Sequence, residues 1–515
     1  MMNKKIQVLD CTLRDGGYYT NWDFEDSLVD AYLKSMNSLV VDFIEIGYRS
    51  PKKPEYLGKY FYCPKSVMEE IKSKTTKKLA IILNEKDVPA ENAEELLQDC
   101  SRLIDLIRIA VAPENLNRAI EVSRKIKEMG FDVAFNVMYM SNWSKIDGFF
   151  DQIETLNGTI DYFYLVDSYG GVLPSEVEEM ILKVKARLDC KIGFHGHNNL
   201  ELGLINTLTA LDAGVDIVDA TVTGMGRGAG NLKTELLLTT MNARYGWDVN
   251  FNALGTVVDS FEHLQSQHKW GTNLPYMVSG ANSLPQKDVM DWVGKRFYSM
   301  NSIVQTLHNQ SIGVEDNIKL ETFLPEEGYD KILLIGGGPS VSKHAEALRK
   351  WCESQDNLAI VHASSKNSIF FKGMSIQQYF CLVGNEGHRL ESNAAEGFEF
   401  VSECVLPPFP RKMGTYIPSG LREKCFELKT INFTNKVNDS HTVLALQTAL
   451  ELKAAEVFVT GYDGYFGDSV KQVEIELSHE NEQLFDDFKN IGVKIVSLTP
   501  TRYEILDEDS VYSNI

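Results

Sequence analysis

The feature that most constrains the fold is a regular alternation of short apolar runs with amphipathic stretches over residues 1–245. Strands that alternate with helical patterns favour a parallel sheet, and eight even units of this kind predict a (β/α)8 TIM barrel. A doubly wound sheet is the alternative, although it rarely contains eight such units. The eight apolar runs are 6–12, 40–48, 78–84, 103–112, 132–140, 161–168, 191–197 and 215–226.

Helical patterns lie between these runs. Residues 113–130 have helical periodicity, and Gly130 is placed to end that helix. Residues 175–188 open with Ser175, and Glu178 follows at the spacing of a capping box. Residues 200–213 continue as a helix from the seventh apolar run.

The remainder of the chain predicts two further parts. Residues 246–325 contain two helical stretches, 251–271 and 287–310, which residues 274–285 connect, and they indicate a helical appendage. Residues 330–515 predict a separate Rossmann-like α/β domain, which opens with a strand, a glycine turn and a helix. Further strands are expected at 358–364, 378–384, 456–464 and 493–500, with a helix at 440–455.

Composition excludes several functional classes. The net charge of −21 disfavours binding to nucleic acid or to an anionic membrane surface. The apolar runs are shorter than the roughly 18 residues that cross a bilayer. The N-terminus has no apolar signal-peptide core, and the eight cysteines form no CxxC pair. We therefore expect a cytoplasmic protein with reduced thiols.

Polar residues cluster where the predicted barrel strands end. The active site of a TIM barrel lies at the carboxyl ends of its strands, so these side chains are expected to face one site. Charged groups at such positions lower stability unless they are paired or bind an ion. The residues are Thr12, Arg14, Asp15, Glu45, Arg108, Asn136, Tyr139, Asp167, Ser168, His195 and His197.

Two histidines and one carboxylate form a candidate metal site. His195 and His197 are two residues apart in a strand, so their side chains share one face. Asp15 follows strand one and faces the same barrel mouth. This set leaves about half of an octahedral shell open and accepts Mn²⁺, Mg²⁺, Co²⁺ or Zn²⁺. The metal would polarise a carbonyl, and Arg14 would stabilise an enolate oxygen, which suits the making or breaking of a carbon–carbon bond.

Four motifs in this order resemble the pyruvate-type metal-dependent lyase superfamily. That group includes 4-hydroxy-2-oxovalerate aldolase, hydroxymethylglutaryl-CoA lyase, isopropylmalate synthase and homocitrate synthase. The resemblance covers about residues 6–290 and implies a 2-oxo acid substrate and a divalent metal, Mn²⁺ or Mg²⁺ before Co²⁺ or Zn²⁺. The motifs are TLRDGG at 12–17, IEIG at 44–47, GFHGHNNLELG at 193–203 and GMGRGAGNLKTE at 224–235.

The resemblance also implies roles for individual residues. Asp15, His195 and His197 would be the metal ligands, and Asn231 matches a position that ligates metal in the acyl-CoA lyases. Glu45 matches an acidic residue that supports the arginine and the metal shell.

One departure from the family concerns proton transfer. Members of the aldolase branch carry a histidine shortly after the RDG motif, whereas this chain reads GGYYTNW at 16–22. Tyr18, Tyr19 and Tyr139 are the candidates to replace it as general acid or base, although the unperturbed pKa of tyrosine is about 10.

The second domain opens with GGGPS at 336–340, a turn that is typical of an anion site. It lacks both the dinucleotide glycine spacing and a Walker lysine. The pattern resembles sialyltransferase-like and pterin-pyrophosphokinase-like domains over about residues 330–500, which implies a nucleotide, diphosphate or nucleotide-sugar ligand. A scaffold for oligomerisation is the competing interpretation. The candidate contacts are Gly336, Gly338, Ser340, Asn385 and Asp463.

Three functional hypotheses follow from the sequence. The first is a metal-dependent aldolase that acts on a 2-oxo acid through a pyruvate-like enolate. The second is a Claisen-type condensing enzyme that uses an acyl-CoA. The third is a nucleotide-sugar transferase or binding protein in which the barrel is a scaffold. A homo-oligomer is expected because related barrels usually assemble.

Overall fold

The chain forms two compact units, Met1–Met290 and Asp291–Ile515. The structure, a computed structural model, describes residues 6–294, 300–314, 317–384, 386–395, 402–411, 415–438, 440–465, 472–513 and 515. The sequence boundaries at 245 and 330 stay predictions, because the helical appendage expected at 246–325 has residues in both units.

The first unit is a closed barrel of eight parallel strands, which confirms the predicted fold class. Each strand pairs with the next along the chain, and the barrel closes where Gln7 and Asp10 of the first strand pair with Ile217 and Ala220 of the last. The strands are β1 (Gln7–Asp10), β2 (Phe43–Tyr48), β3 (Lys78–Asn84), β4 (Leu106–Val111), β5 (Asp132–Val137), β6 (Tyr162–Asp167), β7 (Lys191–Gly196) and β8 (Ile217–Ala220).

Helices follow the strands and bury the outward-facing side chains of the barrel. Tyr32 and Phe261, for example, have ring centroids 6.1 Å apart and join two of these helices. Helices up to residue 294 are α1 (Thr12–Thr20), α2 (Asp26–Asn37), α3 (Lys59–Tyr62), α4 (Lys65–Lys74), α5 (Ala93–Leu97), α6 (Leu116–Glu128), α7 (Phe149–Ile153), α8 (Pro174–Lys185), α9 (Gly203–Asp212), α10 (Thr234–Tyr245), α11 (Phe251–His268), α12 (Leu274–Ala281) and α13 (Gln286–Gly294).

The first strand is shorter than the sequence predicts. It ends at Asp10, whose carboxylate accepts hydrogen bonds from the backbone N–H of Thr12 at 3.0 Å and from its hydroxyl at 2.6 Å. These bonds satisfy a free N–H group at the start of α1, so Arg14 and Asp15 lie in the first turns of a helix. Gly17 lets this helix pack closely, since a Cβ atom there would lie 2.1 Å from the Trp22 ring.

Two helices differ from their predicted form. In α8 the capping box joins Leu173 and Glu176, not Ser175 and Glu178, because Pro174 already occupies the first helical position. Residues 274–285 contain α12, although the sequence reads there as a connection. The side chain of Asn273 accepts a hydrogen bond from the Tyr276 N–H and starts this helix.

The second unit contains an eight-stranded parallel sheet in the order β13-β12-β11-β10-β9-β14-β15-β16. Its strands are β9 (Lys331–Ile335), β10 (Leu358–His362), β11 (Gln378–Cys381), β12 (Glu403–Leu406), β13 (Cys425–Glu427), β14 (Glu456–Thr460), β15 (Lys494–Ser497) and β16 (Asp507–Glu508). Its helices are α14 (Met300–Ser311), α15 (Ser340–Lys343), α16 (Ala345–Glu353), α17 (Glu386–Ala395), α18 (His441–Glu451) and α19 (Gln472–Asn490). The sequence did not predict β12, β13 or β16.

Strand β9 lies in the interior of the sheet, between β10 and β14, and both of its faces are apolar. Ile332 and Leu334 belong to one buried cluster, and Leu333 and Ile335 belong to another, as the two-residue period of a strand requires. The strand order reverses between β9 and β14, which places a crevice at their carboxyl ends. No helix among the described residues is long and apolar enough to cross a membrane.

Candidate active site

A cavity of about 530 Å³ lies at the carboxyl ends of the barrel strands. Eight of the residues that the sequence predicts for the site line it, and Glu45 and Asn231 are buried beside them. The eight lining residues are Arg14, Asp15, Tyr18, Asn136, Tyr139, Ser168, His195 and His197.

The two histidines converge at the end of β7, with ring centroids 5.0 Å apart. The Nδ1 atom of His195 lies 2.8 Å from a carboxylate oxygen of Asp219, and the Nδ1 atom of His197 lies 2.7 Å from the carbonyl oxygen of Asp167. A carbonyl only accepts, so Nδ1 of His197 is the donor, and the carboxylate favours the same tautomer for His195. Both Nε2 atoms thereby keep a lone pair, as metal-binding imidazoles require.

Asp15 completes a group whose donor atoms lie within 4.8 Å of one another. Its carboxylate is 3.7 Å from Nε2 of His195 and accepts a 2.5 Å hydrogen bond from Nδ2 of Asn231. The other amide atom of Asn231, Oδ1, is buried and has no hydrogen-bond partner among the described residues. Two free imidazole nitrogens, a carboxylate and an unpaired amide oxygen together fit a divalent cation.

A glycine-rich loop brings Asn231 to this point. The backbone N–H of Asn231 donates to the carbonyl of Gly224 at 3.1 Å, so the loop folds back on itself. Gly230 has φ of 77°, and a Cβ atom there would lie 2.2 Å from the carbonyl oxygen of Gly224. The glycine is therefore needed for the turn that buries Asn231 beside Asp15.

A second group of donors, Cys11, His195 and Asp219, is less suited to a metal. Burial raises the pKa of the Cys11 thiol well above its usual value, which disfavours the thiolate form that binds a metal. Asp219 already pairs with Nδ1 of His195 and with Arg108 at 2.5 Å. Both contacts are made by one carboxylate oxygen, through which Asp219 orients His195, and the other oxygen has no hydrogen-bond partner among the described residues.

Buried ion pairs connect the candidate ligands to the barrel interior. Arg14 contacts Asp15 at 2.5 Å and Glu45 at 2.7 Å, and Arg108 contacts Glu45 at 3.1 Å and Asp219 at 2.5 Å. Three carboxylates thus face two guanidinium groups, which leaves one net negative charge when the histidines are neutral. An excess negative charge in a buried site favours a bound cation.

The surrounding charges and burial keep Asp15 ionised and His197 neutral, which are the forms that bind a metal. Burial alone would raise the pKa of Asp15, but the Arg14 guanidinium and the two imidazoles hold it below its usual range. Burial, and then the neighbouring His195 imidazole, lower the pKa of His197 to about 4. Asp15 is therefore ionised and His197 neutral near pH 7.

The three tyrosines that the sequence nominated have different positions. Tyr18 lines the cavity, and its hydroxyl is 3.2 Å from the hydroxyl of Tyr48. Tyr139 also lines the cavity, and its backbone N–H donates to Ser168 at 2.8 Å. The hydroxyl of Tyr19 donates to the Gly228 carbonyl at 3.0 Å, and burial raises its pKa, so it is the least suited to proton transfer.

Sequence reasoning missed Asp219 and assigned no role to Arg108. Asp219 is a charged residue inside the apolar run of β8, and it is buried. A carboxylate at such a position must find a partner, which was the available signal. Arg108 was noted only as polar, although a fully buried arginine on β4 requires at least one buried carboxylate.

The second unit has its own cavity, of about 500 Å³, at the crevice between β9 and β14. Gly336, Gly338 and Asp463 line it, whereas Ser340 does not. The backbone N–H of Ser340 donates to Asp463 at 2.9 Å, and its hydroxyl donates to the same carboxylate. The carboxylate of Asp463 thus occupies the donors that were expected to bind an anion. Asn385 lies outside the described residues.

Other polar side chains of this cavity are paired around Glu386. Its carboxylate accepts hydrogen bonds from the Ser365 N–H at 2.7 Å and from Arg389 at 2.5 Å, and lies 3.5 Å from His441. Although burial opposes ionisation, His441, Arg389 and Ser365 lower the pKa of Glu386 to about 2. The carboxylate is therefore ionised and internally compensated.

Comparison with known proteins identifies relatives of the first unit. A family model described as HMGL-like matches residues 5–258. The 4-hydroxy-2-oxovalerate aldolase of Geobacillus thermodenitrificans is 29% identical over 245 residues, which are 46% of this chain and 70% of that protein. The oxaloacetate decarboxylase of Mycobacterium tuberculosis is 28% identical over 251 residues, again 46% of this chain and 70% of that protein.

A solved structure agrees with these matches. The crystal structure of the N-terminal domain of a "putative aldolase" from Bacteroides vulgatus is 52% identical, covers 58% of this chain and 99% of that chain, and has a TM-score of 0.56. With the barrel and its two-histidine, one-carboxylate group, these similarities show that the N-terminal half of the chain belongs to the HMGL-like family.

Proposed function

We propose that the barrel is a divalent-metal-dependent carbon–carbon lyase that acts on a 2-oxo acid through a pyruvate-like enolate, as a 4-hydroxy-2-oxovalerate aldolase does. The observation that carries the proposal is the convergence of two imidazole Nε2 atoms, the Asp15 carboxylate and the unpaired Asn231 Oδ1 beside Arg14. The matched relatives named for 4-hydroxy-2-oxovalerate and for oxaloacetate support the substrate class, because both compounds are 2-oxo acids.

Asp15, His195 and His197 would hold the metal, and Asn231 would add an oxygen ligand. When bound, the metal supplies a Lewis acid that polarises the 2-oxo group. Mixed nitrogen and oxygen donors without a thiolate are compatible with Mn²⁺, Mg²⁺, Co²⁺ and Zn²⁺, and Mn²⁺ or Mg²⁺ is our first choice.

Arg14 is positioned to stabilise the enolate. Its charge is secure, because Asp15 and Glu45 raise its pKa against the opposing effect of burial. Its Nε and Nη1 atoms bond to these carboxylates, whereas Nη2 makes no hydrogen bond within the described residues. A fixed guanidinium with a remaining donor on a cavity wall can stabilise an oxyanion without reorganisation. Glu45 therefore acts as a positioning residue.

Cleavage of a 4-hydroxy-2-oxo acid needs one proton removed and one returned. The 4-hydroxyl loses its proton, the C3–C4 bond breaks to give an aldehyde, and the electron pair passes to the 2-oxo group. The resulting enolate then takes a proton at C3. Tyr18 and Tyr139 line the cavity, and we propose that their hydroxyl groups carry out these proton transfers. Tyr18→Phe is expected to slow turnover by about 100-fold or more, and Tyr19→Phe much less.

The direct test follows exchange of the pyruvate methyl protons in D₂O by NMR, with and without added Mn²⁺. The proposal expects metal-dependent exchange in the wild type and none above background in the His195→Ala/His197→Ala double variant. His263→Ala, an exposed histidine of α11, is the matched control. Metal binding without exchange would contradict the pyruvate donor, and exchange of acetyl-CoA instead would indicate a Claisen-type reaction. The absence of both metal binding and exchange would contradict the lyase.

We further infer that the second unit binds a nucleotide or a sugar phosphate in its cavity. The supporting observation is the position of the cavity at the carboxyl ends of β9 and β14, where the strand order reverses. Lys366 is the cation of this cavity without a carboxylate partner among the described residues. Calorimetric titration with nucleoside diphosphates should give binding that Lys366→Met weakens and Lys350→Met, on α16, does not. Absence of binding would leave the scaffold interpretation.

A further inference from the structure

The barrel cavity is unusually rich in positive charge for this chain. Its walls carry the cations Arg14, Lys86, Arg227 and Lys287 and the carboxylates Asp15 and Glu85, whereas the chain as a whole has a net charge of −21. Arg14 is neutralised by Asp15 and Glu45. Glu85 pairs with Arg118 and accepts a hydrogen bond from Asn115 at 2.9 Å.

Three cations of the cavity therefore remain without a counter-charge. Within the part of the chain that the structure describes, Arg227, Lys86 and Lys287 form no ion pair with a carboxylate. Lys86 and Lys287 are exposed, but Arg227 is half-buried. A partly desolvated guanidinium without a counter-charge costs stability, which the binding of an anion would recover.

The position of Arg227 is fixed by its surroundings. Its guanidinium carbon is 5.5 Å from the centroid of the Tyr18 ring, which is within the range of a cation–π contact. The next residue, Gly228, accepts a 3.0 Å hydrogen bond from the Tyr19 hydroxyl. Both tyrosines of α1 thus hold the loop that carries Arg227, so this side chain loses little conformational freedom when an anion binds.

The distance of Arg227 from the reacting end follows from α1. Arg14 and Tyr18 are four residues apart and lie on the same face of this helix, about 5–6 Å from each other. Arg227 lies over the Tyr18 ring, so it lines the same cavity at roughly one turn of α1 from Arg14. A molecule whose 2-oxo group lies beside Arg14 would therefore present its distal end to Arg227.

We propose that Arg227, assisted by Lys86 and Lys287, binds a second anionic group at the distal end of the substrate. This inference rests on the proposed function, since it takes the 2-oxo acid as the reacting end. The distal group is a carboxylate or a phosphate, because the planar guanidinium can bind either with two parallel hydrogen bonds. Arg227 is thereby a specificity residue, and it selects dianionic over monoanionic 2-oxo acids.

The test compares two ligands that differ only at their distal end. Calorimetric titration in the presence of Mn²⁺ measures the affinities for 2-oxoglutarate and for 2-oxopentanoate, which share the five-carbon 2-oxo acid. We expect the wild type to bind 2-oxoglutarate about tenfold more tightly, and Arg227→Ala to remove that preference. Arg227→Lys should retain part of it, since the charge remains but the planar donor pair is lost.

Three further measurements make the result specific. The preference should fall as KCl is raised, and Lys86→Met/Lys287→Met should reduce it about two- to threefold, because exposed charges are screened. Arg244→Ala, an exposed arginine of α10, is the control. With 4-phosphono-2-oxobutanoate, tighter binding than 2-oxoglutarate would identify a phosphate as the distal group, and weaker binding a carboxylate.

The outcomes separate this inference from the proposed function. Equal wild-type affinity for the two five-carbon ligands, or a preference that survives in Arg227→Ala, would overturn the inference even if pyruvate exchange is observed. A preference that Arg227→Ala removes, in a protein that fails to exchange pyruvate protons, would support the anion site and contradict the pyruvate donor of the proposed function. The ratio of two affinities in one variant also cancels any general effect of the substitution on folding.

Discussion

The cavities of the two units differ in how their charged side chains are satisfied. In the barrel, three carboxylates, Asp15, Glu45 and Asp219, face two guanidinium groups, and the amide oxygen of Asn231 has no partner among the described residues. In the second unit, the acidic groups are compensated by neighbouring side chains and backbone N–H groups. The barrel site is thus electrostatically incomplete without a cation, whereas the second cavity is not.

The buried histidines of the two units show the same contrast. His195 of the barrel pairs with a carboxylate at 2.8 Å. His362 of the second sheet instead pairs with the neutral amide of Gln378 at 2.8 Å and stacks on Phe380, with ring centroids 4.5 Å apart. The first arrangement prepares an imidazole for a ligand, and the second packs an imidazole as part of an apolar core.

Arg108→Met should give the largest effect, because it breaks the charge network on which the comparison rests. The substitution leaves Glu45 and Asp219 buried without their shared cation, and we expect it to lower the free energy of unfolding by roughly 3–5 kcal/mol. Urea denaturation of the full chain measures this. Lys125→Met, which breaks the exposed pair with Glu128 on α6, should leave the midpoint unchanged. Equal midpoints for both variants would show that the network contributes nothing to stability.

The second effect is a loss of stability of the second unit in acid. Burial lowers the pKa of His362 to about 4, from an ordinary value of 6.5. The unfolded chain therefore binds a proton that the folded chain does not, and stability falls as pH decreases from about 6.5 to about 4. The loss attributable to His362 is up to about 3 kcal/mol, at 1.36 kcal/mol for each unit of pKa.

Denaturation of the wild type and of His362→Gln across this pH range isolates the effect. The variant should lose less stability than the wild type, and His479→Gln, an exposed histidine of α19, should behave as the wild type does. Parallel pH profiles for the wild type and His362→Gln would mean that the pKa of His362 is the same in the folded and the unfolded chain. That result would remove the contrast with the barrel.

The sequence predicted the barrel well because its signals are local. Eight apolar runs each became one strand, and the two-residue period placed His195 and His197 on one face of β7. The ends of elements were predicted less well. Thr12 was assigned to a strand but lies in α1, since the Asp10 carboxylate caps the helix in a way that composition does not reveal.

The charge network could not be read from the sequence, because its members are far apart in the chain. Arg108 and Asp219 are separated by 111 positions and meet only when β4 and β8 line the same interior. The second unit shows the same limit. GGGPS predicted an anion site, but Asp463, 123 positions later, supplies the carboxylate that bonds to Ser340. Local patterns identify donors, whereas the fold decides which acceptors reach them.

Asp219→Asn should weaken metal binding without removing a ligand. The carboxylate fixes the tautomer of His195 through Nδ1, and the loss of such a supporting contact typically costs 10–100-fold in metal affinity, or about 1.4–2.7 kcal/mol. Titration with Mn²⁺ followed by paramagnetic resonance measures this directly. Asp212→Asn, an exposed residue at the end of α9, is the matched control. A complete loss of binding would instead indicate that Asp219 is a ligand, as in the group that it forms with Cys11.

Ser340→Ala should have the smallest effect, and it tests whether the Ser340 hydroxyl stabilises the fold or contacts a ligand of the second cavity. The Ser340 hydroxyl donates to Asp463 and lies 3.2 Å from the hydroxyl of Thr499, so its loss removes an internal hydrogen bond worth about 1 kcal/mol of stability. Ser342→Ala, which alters an exposed hydroxyl in the same helix, should cost less. If Ser340→Ala leaves stability unchanged but weakens binding of a nucleoside diphosphate, the hydroxyl is a ligand contact. Asp463 would then have to release it on binding, and the second cavity would resemble the barrel in being incomplete without its ligand.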